Sequence, residues 1–406
     1  MSEQNSDFTR RKFMTASVGC LAAAAMAGVT PSVVRGQEKE TEPDKKGIVS
    51  RKLGRTDLMV PIVSMGAGAA NDPGLVQACF EAGMRHFDTA ASYGFGRNEQ
   101  MVGMALAKMG VRDKAIIGTK VLTPAQRTGV TPAELKKRVI AAIEGSLKRL
   151  KTDYIDILCI HDVRDAATVK DEATMEALVH VKKQGKVRYV GTSTHAAMAD
   201  VINATVEAGI YDTVLTSFNF TMADDAAMMS AVANAGKTGV GVIAMKTQAG
   251  GANYPNPETL RQYSNAVVNS AALKWVLRNE NVATTIPGIG NYDHMRANMA
   301  IAGNLEYTDD EKRFLSDNSI KLSMGFCRQC RSCLASCPHN TEIPDLMRTH
   351  MYATQYADFH KARMTIDQIA RGRGLDACAS CSTCTAQCVN SVDIPRKIGD
   401  LKLIYA

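Results

Sequence analysis

The sequence predicts an α/β protein: a (β/α)8 TIM barrel followed by a smaller, mainly helical domain built around cysteine. Two observations predict it. Between residues 50 and 319, eight short apolar runs alternate with amphipathic segments, the pattern of strands and helices winding into a parallel barrel. Beyond that stretch, Cys327, Cys330, Cys333 and Cys337 are spaced C-x2-C-x2-C-x3-C, and Cys378, Cys381, Cys384 and Cys388 repeat the spacing. The echo continues into Glu342-Ile343-Pro344 and Asp393-Ile394-Pro395. The chain therefore divides into a leader at 1–36, a linker at 37–49, the barrel at 50–319 and the cysteine domain at 320–406.

The leader carries Thr9-Arg10-Arg11-Lys12-Phe13 ahead of a mostly apolar run from Met14 to Val34. This resembles a twin-arginine export signal, cut after Gly36, with Ala25-Met26-Ala27 as a second site. It implies the twin-arginine translocase as a partner and a periplasmic or otherwise exported destination. An uncleaved anchor is the rival. Small and polar residues weaken the run as a span, so no stable membrane span is expected after cleavage. The linker from Gln37 to Lys46 is charged and lacks apolar anchors, so it reads as solvated chain. The net charge of +7 is a mild excess, with no basic stripe interleaved with aromatics, so nucleic-acid binding is not indicated.

Along the barrel the expected strands are Ile62–Gly66, Arg85–Asp88, Ala115–Lys120, Tyr154–His161, Val187–Ser193, Thr213–Asn219, Gly241–Lys246 and Ala283–Pro287. Helices are expected over Thr131–Leu150 and Thr259–Asn279. Thr131-x-x-Glu134 offers a capping box with Pro132 in the first turn, and Thr308-x-x-Glu311 caps a further helix. Barrel chemistry sits where strands end. Asp88 ends the second strand, Tyr93 lies in the loop after it, Lys120 ends the third and His161 ends the fourth. Singly these read as a cap, a solvated lysine and a bonded rim histidine. Together on one rim they read as a site. Of the aromatics, Phe95, Phe218, Tyr254 and Trp275 are too scattered to outline a pocket. Tyr254 could reach the site, while Trp275 reads as outer packing.

The same residues carry a family resemblance. Phe87-Asp88-Thr89-Ala90, Tyr93-Gly94, Asn98-Glu99 and Gly103 resemble the signature of aldo/keto reductases. Lys52-Leu53-Gly54-Arg55-Thr56, Ser146 to Leu150, Tyr154-Ile155-Asp156, Gly191-Thr192-Ser193 and Ile286-Pro287-Gly288 follow in family order. The resemblance implies a catalytic tetrad of Asp88, Tyr93, Lys120 and His161, a small carbonyl or alcohol substrate, and NADP or NAD as hydride carrier. Reduction leaves an alkoxide that needs a proton, and a tyrosine supplies it when a nearby cation lowers its pKa. At the nucleotide positions, Ser193 fits the family serine. Thr194 stands where Asn is usual, and Leu215 where Gln is usual, with Asn219 four residues on. Lys246 closes the seventh strand, and Gly288 and His294 replace the usual basic pair, leaving Arg296 and Asn298.

The cysteine spacing, with Pro338 after the first run, is that of bacterial ferredoxins, and eight thiolates suffice for two 4Fe-4S clusters. Cysteines three residues apart make poor disulfide partners. Tetrahedral zinc is the other rival. Resemblance to a two-cluster ferredoxin implies crossed ligation: Cys327, Cys330 and Cys333 with Cys388, and Cys378, Cys381 and Cys384 with Cys337. The second run is followed by Val389 rather than proline, and Tyr352 to Ala370 reads as helical. Cys79 and Cys159 read as buried packing, and Cys20 lies in the leader. The twin-arginine route carries proteins folded with their cofactors, so the two motifs agree. The resulting expectation is an exported oxidoreductase whose clusters serve a redox partner protein. The alternative is an iron–sulfur electron carrier whose barrel is a non-catalytic scaffold.

Overall fold

The chain opens on an antiparallel hairpin, β1 (Ser50–Lys52) with β2 (Met59–Pro61). The computed structural model describes residues 44, 47–123, 130–250 and 262–405. The leader, nearly all of the linker and Tyr254 lie outside the described residues. The hairpin was not expected from sequence, because three-residue strands carry no readable period. Its turn is held by Thr56, whose hydroxyl donates to Leu53 O at 2.7 Å. Gly54 sits at φ +54, so close to the Gly241 backbone that a Cβ would meet Gly241 N at 2.3 Å. Leu53, Leu58 and Val60 pack with Ile157, Leu215 and Ile243 to fill the barrel interior.

Eight parallel strands follow in chain order: β3 (Met65–Gly66), β4 (His86–Asp88), β5 (Ile116–Val121), β6 (Ile155–Val163), β7 (Val187–Thr194), β8 (Thr213–Ser217), β9 (Gly241–Met245) and β10 (Val282–Thr285). Each pairs with its successor. The barrel closes through parallel bridges Val63↔Thr285 and Gly66↔Gly288, with Ser64 N donating to Thr285 O at 2.9 Å. All eight expected strands are present within a few residues of their expected ends. β6 runs on past His161 to Val163, and Asp162 within it adopts φ 55.

The helix Pro132–Leu150 forms as expected, but its capping box is half made. Thr131 accepts from Glu134 N, whereas the Glu134 carboxylate takes Arg138 Nε at 2.9 Å instead of reaching back. The box at Thr308 is complete in both directions. The described part of the next expected helix is Asn265–Leu277, capped by Ser264, and Trp275 packs in the outer layer against Phe218 at 5.1 Å. Cys79 and Cys159 are buried. Among the described residues, no helix is long and apolar enough to cross a membrane.

The cysteine domain is mainly helical: Ile343–His350, Phe359–Ile366 and Ile394–Tyr405 enclose a core of Ile343, Leu346, Ile394, Ile398 and Leu401, which Cys333 joins and against which Cys327, Cys337, Cys378, Cys384 and Cys388 pack. The single helix expected over Tyr352 to Ala370 is interrupted. A π-turn at Met351–Gln355 prolongs the first helix, Ala357 turns at φ 50, and Asp358 caps the next by accepting from Lys361 N at 2.9 Å. The break swings this segment over the barrel mouth. Phe326, Met351 and Tyr352 share a core with barrel residues Phe218, Phe220 and Ala244. Burial on both sides explains why every residue of Ile343–His350, polar ones included, is buried.

Candidate active site

The C-terminal ends of β4, β5 and β6 bring Asp88, Lys120 and His161 to one rim. Lys120 is buried, and its Nζ donates to Asp88 Oδ1 and to Thr89 O, the latter at 2.7 Å. Burial alone would strip its proton, but the Asp88 carboxylate outweighs that and holds the ammonium above the ordinary lysine range. The ammonium lies 5.1 Å from the centre of the Tyr93 ring. Tyr93 opens a 3-10 turn in which Gly94 and Phe95 both sit at φ 56. His161 meets the Tyr93 ring edge-on at 6.0 Å, and its Nδ1 pairs with Ser92 Oγ at 3.2 Å. Burial, helped by Lys120, pushes the His161 pKa down to about 3, so its imidazole is neutral at physiological pH. The four expected catalytic residues are therefore brought together.

His86, which sequence reading passed over, lies one strand-turn below. It is fully buried, neither ring nitrogen has a partner, and burial followed by Lys120 lowers its pKa to about 3. An unfolded histidine takes a proton near pH 6.5 while this one refuses it, so acid favours the unfolded state. Stability is expected to fall as pH drops from 6.5 towards 3, with His86 supplying a slope of about 1.4 kcal/mol per pH unit. Denaturant unfolding of His86→Gln, compared with the parent across that window, reads the difference in slope.

A cavity of about 1170 Å³ opens above the tetrad. Asp88, Tyr93 and His161 form its floor, while Gly288, His294 and Asn298 line one flank. Arg348, Tyr352, Gln355 and Lys361 of the cysteine domain roof it. The expected cofactor residues divide. Lys246, Gly288 and Asn298 reach the cavity. Ser193, Thr194 and Asn219 are buried. Thr194 Oγ1 donates to Ala196 O at 2.8 Å, and Asn219 donates to Lys246 O while its own oxygen takes Thr221. Ser193 Oγ has no partner. Asn298 Oδ1 accepts from Gln248, and Arg296 pairs with Asp293. Leu215, in the barrel core, is fully buried.

The cysteines form two groups. Cys327, Cys330, Cys333 and Cys388 line one hollow. Cys337 and Cys384 lie near Cys378, and Cys381 N donates to Cys378 O at 3.3 Å. Burial pushes the Cys327 thiol up to about 12, so a thiolate there needs a bound cation. At Cys337 burial also pushes upward, but N–H groups of Thr341, His339 and Asn340 outweigh it and bring the thiol down. Asn390 N donates to Cys388 Sγ at 3.3 Å. Four thiols with N–H donors at sulfur suit an iron–sulfur cluster. Cys327 also shares a small hollow with His195, Ser217 and Lys246, so the first group abuts the barrel rim.

Sequence reading missed His195, Asp162, Arg348, Tyr352, Gln355 and Lys361. The last four lie in a segment whose pattern announces a helix and nothing about the barrel it covers.

Residues 69–266 match the aldo/keto reductase family, and residues 326–393 match a 4Fe-4S dicluster domain. Aldo-keto reductase YhdN of Bacillus subtilis (strain 168) is 34% identical over 118 residues, 29% of this chain and 35% of that one. The chain thus spans about a third of that relative's length. L-galactose dehydrogenase of Arabidopsis thaliana is 26% identical over 298 residues, 66% of this chain and 92% of that one. The holo form of aldo-keto reductase AKR11C1 from Bacillus halodurans superposes with a TM-score of 0.55 at 25% identity, covering 66% of this chain and 94% of that one. These matches indicate an oxidoreductase that is similar over residues 69–266 to aldo/keto reductases and over residues 326–393 to a 4Fe-4S dicluster domain.

Proposed function

We propose that this chain, an aldo/keto reductase domain joined to a 4Fe-4S dicluster domain, is an exported oxidoreductase that interconverts a carbonyl and an alcohol by hydride transfer, coupled to electron transfer through two 4Fe-4S clusters. The observation that carries it is the buried Asp88–Lys120 pair beside Tyr93, with neutral His161 edge-on, under a cavity roofed by the cluster domain. Tyr93 gives its proton to the substrate oxygen in reduction and takes it back in oxidation. Lys120 sits over the Tyr93 ring, Asp88 holds Lys120, and His161 hydrogen-bonds the substrate oxygen. A nicotinamide nucleotide, when bound, supplies or accepts the hydride. The unpartnered Ser193 hydroxyl and the open space at Gly288 fit such a group. The two cysteine groups would hold the clusters, which carry single electrons. Export rests on Arg10-Arg11 and the apolar run behind them.

The second reading, an electron carrier on a non-catalytic barrel, is favoured by one observation: Thr194 and Asn219 are already hydrogen-bonded and Leu215 is buried in the barrel core. One experiment separates the two. Protein purified anaerobically is expected to contain roughly eight irons and to release NAD or NADP on denaturation. Eight irons with no nucleotide released, and none bound when offered, would sink the hydride mechanism and leave the carrier. Cys388→Ser is expected to reduce the iron to roughly four, because its thiol completes the group of Cys327, Cys330 and Cys333. Loss of all iron, or of none, would refute that grouping.

A further inference from the structure

Among the described residues, two ammonium groups over the tetrad form no ion pair with a carboxylate. Lys361 Nζ lies 4.7 Å from the centre of the Tyr93 ring and 5.3 Å from that of Tyr352. Lys246 Nζ lies 4.8 Å from the Tyr352 ring centre and donates to its hydroxyl at 2.8 Å. Lys361 and Lys246 are half-buried, and the fully buried cations beside them are neutralised: Lys120 by Asp88, and Arg348 by Asp162 and Asp345. Asp358, whose charge also acts on Lys361, has a carboxylate oxygen on the helix cap. Gln355, 5% exposed and lining the same cavity, has neither amide atom bonded.

Two like charges on one ring, both half-buried, repel each other. Consistent with this, burial and then Lys361 and Arg348 drive the Lys246 pKa well below its usual value. An anion between the lysines removes the repulsion, and the Gln355 amide is there to donate to it. Its place identifies its source. Lys361 touches the ring of Tyr93, so an anion it holds lies next to the oxygen that Tyr93 serves.

We propose that Lys361 and Lys246, with the Gln355 amide, bind the carboxylate of a 2-oxo or 2-hydroxy acid whose C2 oxygen faces Tyr93 and His161. This rests on the reading of Tyr93 as the acid/base. Because Lys361 and Gln355 come from the cluster domain and Lys246 from the barrel, the two domains recognise the substrate jointly.

The test is calorimetric titration of the anaerobic, cluster-loaded full chain with oxamate, which carries a carboxylate beside a carbonyl, and with oxamide, its neutral counterpart. Oxamate is expected to bind at least about tenfold tighter than oxamide and to weaken as salt is added. Lys361→Met and Lys246→Met should each weaken oxamate by about ten- to a hundredfold, with oxamide binding and iron content unchanged. Lys361→Arg should retain most of the affinity. Oxamate binding no tighter than oxamide, or unmoved by Lys361→Met, overturns the proposal. So does a loss of NADP affinity in Lys361→Met with oxamate unaffected, which would assign the lysines to nucleotide phosphate. Binding is read without turnover, so a failure here is distinct from a failure of Tyr93 as acid/base.

Discussion

Tyr93→Phe is expected to cut carbonyl turnover by about a thousandfold, within the range that a positioned general acid supplies. The substitution removes one oxygen and keeps the ring. That ring packs under Gly68, where a Cβ would meet it at 2.9 Å, and it faces both Lys120 and Lys361. The scaffold, the two lysines and the clusters should therefore be unaffected, with iron content and thermal midpoint matching the parent. His161 does not take over as acid, since an imidazole with a pKa near 3 carries no spare proton at neutral pH. Lys120 is tied to Asp88 and Thr89 O. Single-turnover reduction with the nucleotide pre-bound isolates the proton-coupled step from binding. Residual turnover within tenfold of the parent would mean that the barrel does not use Tyr93 and that the electron-carrier reading is the better one.

Much of this site was legible in the sequence for a physical reason. A parallel barrel strand is apolar along its length, so a charged or polar residue at its last position stands out, and barrel geometry sends those positions to one rim. Asp88, Lys120 and His161 were found that way, and the repeated cysteine spacing is equally local. What stayed hidden was tertiary. Lys361 lies far along the chain from Tyr93, on a helix whose pattern reflects its own packing. The break that aims it depends on Ala357 at φ 50, a conformation that alanine does not advertise as glycine would. The opening hairpin was hidden for the opposite reason, since its strands are too short to show a period. At Thr131 the motif was read correctly but its outcome was not, because an exposed Glu134 prefers the nearby guanidinium of Arg138 to the helix terminus.

Arg348→Met is expected to cost about 3–5 kcal/mol, the penalty for breaking a buried ion pair from one side. Arg348 is 5% exposed and donates to Asp162 Oδ1 at 2.8 Å and to Asp345 Oδ1 at 3.0 Å. Arg164 joins the same two carboxylates. The cluster links barrel strand β6 to the helix Ile343–His350 and so pins the roof to the mouth. Removing Arg348 leaves two buried carboxylates to share Arg164. Asp162→Asn combined with Arg348→Met should cost less than the sum of the single variants, as coupled partners do. Acid reads the same contact with a definite sign. Burial pushes the Asp162 pKa up, but Arg348 and Arg164 outweigh it and hold the carboxyl far below its usual range. The stabilisation it gives is present above the unfolded carboxylate pKa, near 3.9, and is lost progressively as pH falls from there through the much lower folded value. In the parent, mild acid therefore acts through the buried histidines, His86 and His161 among them, while the clamp holds. In Arg348→Met the Asp162 pKa rises towards the unfolded value, so the variant should start less stable at neutral pH and lose less stability than the parent as pH falls below 3.9. A variant with an unchanged thermal midpoint and an unchanged acid profile would show that the roof is held by its apolar contacts at Phe326, Met351 and Tyr352 instead.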